Sequence, residues 1–262
     1  MTAARIPLVA WLVLACSIAV VGQEHSVPLA GVRLTTVDRA GDFYAITDDS
    51  IYKFDSLGRR LDSIAVDAPV TLFDPANGVR LLAYFRDKQE YVIYSPTLEE
   101  RQRLAIDPSF AISPWLVCAS GDYDLVILDG ADWSVKKIDT RRSVVSLEFN
   151  LDPTLTENAD FVFVREYLGF LFIHDRHSGI HVFNRLGMKL RTLPAPGATS
   201  FNFRGEELYY YSAGKLHFTD LYTLEARVVP VESPCRDVVL GVGTMMLVTD
   251  GGLEFRTLAK TF

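Results

Sequence analysis

Cysteine is scarce in this chain, with three in 262 residues, and no disulfide framework can be read from so few. Positive charge is also in short supply. Lys and Arg number 26 against 33 Asp and Glu, and the net charge of -7 is spread along the chain rather than gathered in blocks. A nucleic-acid binder needs a basic stripe, and docking on anionic lipid needs a basic face, so both partners are excluded. Helical periodicity is missing too. Beyond the first 22 residues no window of about 12 residues repeats its apolar positions every 3.6, which excludes a helical domain. The phosphate-cradling run Gly-x-x-x-x-Gly-Lys-Ser/Thr is absent, as are the Gly-x-Ser-x-Gly elbow, His-Glu-x-x-His and the calcium-loop pattern of alternating Asp before Gly. The sequence therefore names no catalytic residue, no metal ligand set and no cofactor.

What is present begins at the N-terminus. Arg5 precedes a nearly unbroken apolar run from Ile6 to Val21, closed by small residues that suit cleavage before Gln23. That run is short for a membrane span, which needs about 20 apolar residues, and it has the three parts of a secretory signal. Residues 1–22 are expected to be a signal peptide and 23–262 a single domain, secreted or periplasmic. An alternative is an outer-membrane lipoprotein. Val13-Leu14-Ala15-Cys16 loosely matches a lipidation motif, and a membrane tether follows only if Cys16 carries lipid. The large Leu14 and the apolar residues after Cys16 speak against it. Cys118 and Cys235 are expected in opposite repeats of the fold, as two buried thiols.

Hydrophobic residues make up 49% of the chain, enough for a sizeable core. They are arranged in a repeat. The segment from Ile51 to Ile64 aligns with that from Ile180 to Leu193, and both centre on one turn: Phe54-Asp55-Ser56-Leu57-Gly58 and Phe183-Asn184-Arg185-Leu186-Gly187. Apolar residues alternate before the turn, as a half-buried strand requires. The Asp or Asn side chain can bond the backbone two residues on, and Gly supplies a positive φ. Weaker copies begin at Tyr94, Leu128 and Thr219, and one ends the chain near Arg256. Most steps are about 35 to 40 residues, the period of propeller blades with several short strands each.

The expected fold is therefore all-β, a six-bladed β-propeller. The sixth unit has three strands, and a segment near Ser26 to Ala30 is free to complete it and close the ring. One step, from Leu128 to Phe183, is oversized and places a long connection at about Arg141 to Asp160. The repeats resemble those of bacterial six-bladed propellers of the NHL-like and quinoprotein-like kinds, through the turns at Phe54–Gly58 and Phe183–Gly187. Propellers of that general type include outer-membrane assembly factors, surface binding proteins, lactonases and lyases, so the resemblance implies architecture and leaves function open.

Several constellations invite chemistry. His174, His177 and His181 crowd one hairpin, with His174 and His181 placed to be cross-strand neighbours, and read best as exposed polar residues around the turn at Ser178-Gly179. Asp48-Asp49 and Asp122/Asp124 read as turns rather than paired carboxylates. Tyr209-Tyr210-Tyr211, the Phe161/Phe163/Phe170/Phe172 stripe, Trp115 and Trp133 read as packing between blades. Asp38, Glu166 and Asp237 fall near the ends of innermost strands, where a channel site would draw its carboxylates. The long connection carries Asp152, Glu157 and Asp160, the candidate partner-contact loop. Together these features favour a non-enzymatic extracytoplasmic scaffold with a protein partner and a role in cell-envelope assembly. The alternatives are a hydrolase or lyase using the central channel, and a carbohydrate or small-ligand binding protein.

Overall fold

The computed structural model describes residues 25–258 apart from Asn77. The expected signal peptide, its cleavage point before Gln23 and the Cys16 motif lie outside the described residues. The chain forms six four-stranded antiparallel sheets. Blade 1 contains β2 (Leu34–Val37), β3 (Phe43–Ile46), β4 (Ser50–Phe54) and β5 (Arg60–Ala65). Blade 2 contains β6 (Leu72–Asp74), β7 (Leu81–Phe85), β8 (Glu90–Tyr94) and β9 (Glu100–Ala105). Blade 3 follows with β10 (Pro114–Ser120), β11 (Asp124–Asp129), β12 (Ser134–Asp139) and β13 (Val144–Asn150). Blade 4 has β14 (Phe161–Tyr167), β15 (Phe170–Asp175), β16 (Gly179–Phe183) and β17 (Lys189–Leu193). Blade 5 has β18 (Asn202–Arg204), β19 (Glu207–Ser212), β20 (Lys215–Asp220) and β21 (Ala226–Pro230). Blade 6 joins β22 (Asp237–Leu240), β23 (Thr244–Thr249) and β24 (Gly252–Thr257) to β1 (His25–Val27). The protein is a six-bladed β-propeller.

The repeated turn does what its residues demand. Asp55 Oδ1 accepts from the amides of Leu57 and Arg59, both at 2.9 Å. Asn184 Oδ1 accepts from Leu186 and Met188 at 2.9 and 3.0 Å. Gly58 and Gly187 have φ of 78° and 77°, a region that residues with a Cβ enter at a cost. They serve a second purpose invisible in one hairpin. A Cβ on Gly58 would lie 2.4 Å from the Phe255 ring, and one on Gly187 would lie 2.3 Å from Phe149. In both cases the preceding blade presses an aromatic side chain against the turn.

Two expectations about blade 3 are corrected. The Leu128-Asp129-Gly130 copy closes the second strand of its blade, whereas Phe54, Tyr94 and Phe183 close third strands. The slip arises because Asp129 makes the same turn bond, accepting from the Ala131 amide at 3.0 Å. The true counterpart is Asp139, whose Oδ1 accepts from Arg141 and Arg142. With Asp139 restored the period is even, and no oversized connection exists. The stretch from Arg141 to Asp160 contains β13, the outer strand of blade 3. Beyond β13 it holds a one-turn helix, α1 (Pro153–Thr156), and short turns.

Between blades lie the apolar clusters that hold the ring. The largest runs from Leu72 and Tyr84 through Leu116 and Leu128 to Phe161 and Ile173, joining blades 2, 3 and 4. Tyr209, Phe161, Phe172, Trp115 and Trp133 pack in these seams, as their alternation implies. Cys118 on β10 and Cys235 before β22 stand on opposite sides of the ring as free thiols. Cys118 is buried, but Cys235 is only partly so, because it lies in a connection rather than a strand.

The ring is closed by β1. His25, Ser26 and Val27 pair antiparallel with Phe255, Glu254 and Leu253. A protein lacking residues 25–30 is expected to melt well below the full chain and to self-associate, because β24 then presents an unpaired edge. Thermal unfolding and size-exclusion chromatography over a concentration series measure the two effects.

Candidate functional site

A propeller has two faces, and each collects a defined set of loops. One, here the turn face, carries the turns between the first and second and between the third and fourth strands of every blade. The other, the crossover face, carries the second-to-third turns and the connections from blade to blade. Through the middle runs a channel lined by the innermost strands β2, β6, β10, β14, β18 and β22.

The channel is crossed by one side chain. Arg165 on β14 is only 3% exposed. Its guanidinium donates to Asn202 Oδ1 on blade 5 and, at 3.2 Å, to Thr36 Oγ1 on blade 1. Its Nε lies 3.9 Å from Asp74 Oδ1 on blade 2 and has no hydrogen-bond partner. Asp74 is itself buried and accepts from the Ala76 amide at 3.0 Å. A charge this deep is tolerated only with such partners. Sequence reasoning missed it, since Arg165 sits in the Phe161–Tyr167 strand with no neighbour that marks it.

The three carboxylates expected at inner-strand ends are not brought together. Asp38 is spent on its own turn, accepting from the amides of Ala40 and Asp42 and from the Tyr44 hydroxyl at 2.9 Å. Glu166 follows Arg165 along the strand and therefore points the other way. It accepts from Ser120 Oγ at 2.6 Å and Lys137 Nζ at 3.3 Å. Asp237 accepts from Thr35 Oγ1 at 2.5 Å between blades 6 and 1, and burial raises its pKa. Among the described residues no three His, Cys, Asp or Glu side chains lie together as a metal-holding group.

The histidines differ from expectation. Ile173 pairs with His181 and Ile180 with His174, so the two imidazoles point to opposite sides of the sheet. Neither is exposed, at 0% for His174 and 1% for His181. His174 packs against Phe201, and neither ring nitrogen has a hydrogen-bond partner. His181 meets Ser178 Oγ at 2.9 Å and Thr192 Oγ1 at 3.0 Å. Of the three, His177 alone faces solvent, with Nδ1 2.8 Å from the Asn158 carbonyl. The turn at Ser178-Gly179 is tighter than its composition suggests. Asp175 draws in the amides of Asp160, His177 and Ser178, which buries the strands on either side.

Asp152, Glu157 and Asp160 lie in the connection from blade 3 to blade 4, on the crossover face. Asp152 caps α1, accepting from the Thr154 hydroxyl and amide at 2.7 and 2.8 Å, which holds its carboxyl below the usual range. Asp160 pairs with Arg176 at 2.7 Å. Glu157 follows the helix and is exposed. The segment is tied to the second-to-third turn of blade 4 and is no free loop.

Surface chemistry separates the faces. The crossover face is acidic: Asp48, Asp49, Asp67, Asp87, Asp107, Asp132, Asp152, Glu157, Asp160, Glu232 and Asp250 stand there against Arg33, Arg86, Lys88, Arg176 and Arg236. The turn face carries the exposed apolar side chains. Leu57, Val79, Tyr123, Leu168, Leu186, Met188, Tyr222, Leu224 and Val242 are all exposed in its turns, while the crossover face exposes only Ile112 among large hydrophobics of the described residues. At the centre of the turn face, the channel mouth opens into a cavity of about 360 Å³, floored by Arg165 and Asn202. A second groove, between blades 2 and 3, holds Tyr123 between Arg80 and Arg141, whose guanidiniums lie 4.8 and 3.4 Å from the ring centre.

No family model and no curated protein matches the chain. Solved structures do. Streptogramin B lyase is 15% identical, with a TM-score of 0.52, over 91% of this chain and 87% of that one. These likenesses establish the fold alone. The Neurospora crassa Pan2 WD40 domain gives 0.55 at 9% identity, covering 84% and 72% of the two chains. BBS1N, solved in complex with ARL6DN, gives 0.53 at 15%, covering 84% and 76%.

Two predictions follow from the buried charges. Arg165→Met strands Asp74 without its cation and is expected to cost about 3 kcal/mol or more. Adding Asp74→Asn should return part of that loss, and urea unfolding of the single and double variants measures it. Burial lowers the pKa of both His174 and His181 to about 4, against 6.5 in the unfolded chain. Above pH 7 both states are neutral and nothing changes. Between 6.5 and 4 the unfolded chain takes up protons that the fold refuses, so stability falls by up to about 1.4 kcal/mol per pH unit for each imidazole. His174→Leu should flatten that slope in denaturation curves from pH 7.5 to 4.5.

Proposed function

We propose that this propeller is a protein-interaction scaffold that works outside the cytoplasm and docks its partner on the turn face. The observation that carries the reading is the one-sided placement of exposed Leu57, Leu168, Leu186, Met188, Tyr222 and Val242 in the turns of that face. Apolar side chains gathered on one face mark an interaction surface, whereas scattered ones are ordinary. The rigid ring beneath them supports that use, because loops on a fixed scaffold bind without a large ordering cost. BBS1N was solved in complex with ARL6DN, an instance of a structurally similar chain holding a partner. The apolar run at residues 6–21 supports an extracytoplasmic location, and a role in envelope assembly is the specific form proposed.

The test is capture from envelope extract with a tagged chain. Leu186→Glu combined with Tyr222→Glu should abolish recovery of the partner while leaving thermal unfolding unchanged. Asp152→Asn with Glu157→Gln, on the crossover face, should leave recovery intact. Capture that depends on the crossover pair and ignores the turn-face pair would overturn the assignment.

A further inference from the structure

The channel mouth has a chemistry of its own, independent of whether the surrounding face docks a protein. Its cavity of about 360 Å³ falls within the range of small-molecule pockets. Three guanidiniums line it: Arg165 at the floor, and Arg39 and Arg204 from the turns of blades 1 and 5. Among the described residues, the Arg39 and Arg204 guanidiniums make no hydrogen bond or ion pair with any protein group. Arg165 Nε is buried without an acceptor, and its nearest carboxylate oxygen is 3.9 Å away. A protein of net charge -7 thus gathers two unpaired guanidiniums and a third with one open N–H at one concave point.

The charge there can be counted. Among the lining residues and the ion-pair partner of Arg165, three guanidiniums stand against two carboxylates, Asp38 in the wall and Asp74 beneath the floor, an excess of one positive charge. A single carboxylate balances it. A phosphate dianion would overshoot and would lie close to both acids. The remaining walls are apolar. Tyr167 and Phe203 stack with centroids 4.0 Å apart and planes 7° from parallel, and Val37, Leu240 and Val242 complete the rim. Guanidinium groups match the planar fork of a carboxylate, and the apolar walls suit the body attached to it.

We infer that the channel mouth binds a small organic monocarboxylate with an apolar body, its carboxylate held by Arg39 and Arg204 over the Arg165 floor. Calorimetric titration with benzoate, hexanoate and phenylacetate in physiological salt tests this, with benzamide and inorganic phosphate as controls. At least one of the three acids should bind saturably at 1:1 and raise the melting temperature, while benzamide and phosphate should not. Arg39→Gln and Arg204→Gln should each weaken that binding about tenfold or more, since each removes a charge-assisted bond. Both variants should melt like the parent, because neither side chain bonds within the fold. The inference is overturned if none of the acids binds, if benzamide binds as well, if phosphate binds more tightly, or if the double variant keeps parental affinity. None of these outcomes bears on partner capture by Leu186 and Tyr222.

Discussion

Arg165 is the point on which the ring converges. It belongs to blade 4, yet it touches Asn202 of blade 5, Thr36 of blade 1 and lies near Asp74 of blade 2. Each blade packs through apolar seams with its two neighbours, and such seams fix only adjacent pairs. A side chain that spans the channel adds a constraint between blades that are not adjacent. Desolvating a guanidinium is costly, and the cost is offset only when several acceptors are held in place at once. The ring must therefore be round and complete for this residue to be satisfied. The same side chain crosses the channel and forms the floor of the cavity above it.

That geometry explains how chemistry and surface divide. Arg165 occupies the middle of the channel and separates its mouth from the strands below. Asp38, Glu166 and Asp237, which in principle could share a site, are each engaged by a different neighbour. What remains accessible is a shallow cationic mouth within an apolar face, and an acidic face behind it. Both properties come from the loops, while the strands of all six blades follow one plan.

The blade plan was legible because it is local. The Asx turns at Asp55 and Asn184, the alternation before them and the missing fourth strand of blade 6 all lie within short windows. The slip at Asp129 has a local cause as well, since Asp before Gly makes the same bond at the second-to-third turn. It hid β13, whose Val144, Val145 and Ser146 are exposed as in any outermost strand and read as loop. The histidines were misjudged because Asp175 gathers its turn from a connection 15 residues away. The channel was the least legible part. Thr36, Asp74, Arg165 and Asn202 come from four blades, and no spacing in the sequence records that they meet.

The seam between β1 and β24 has a mechanical consequence. β24 runs toward the turn face and β1 runs away from it, so His25 and Thr257 emerge at the same end of the seam. Force applied to the two ends of the domain would peel the strands apart one residue pair after another, rather than load every hydrogen bond together in shear. The seam is thus the weakest direction of an otherwise stiff ring. Tension between a tether on one end and a load on the other would be released there first, well before any blade loses its own strands.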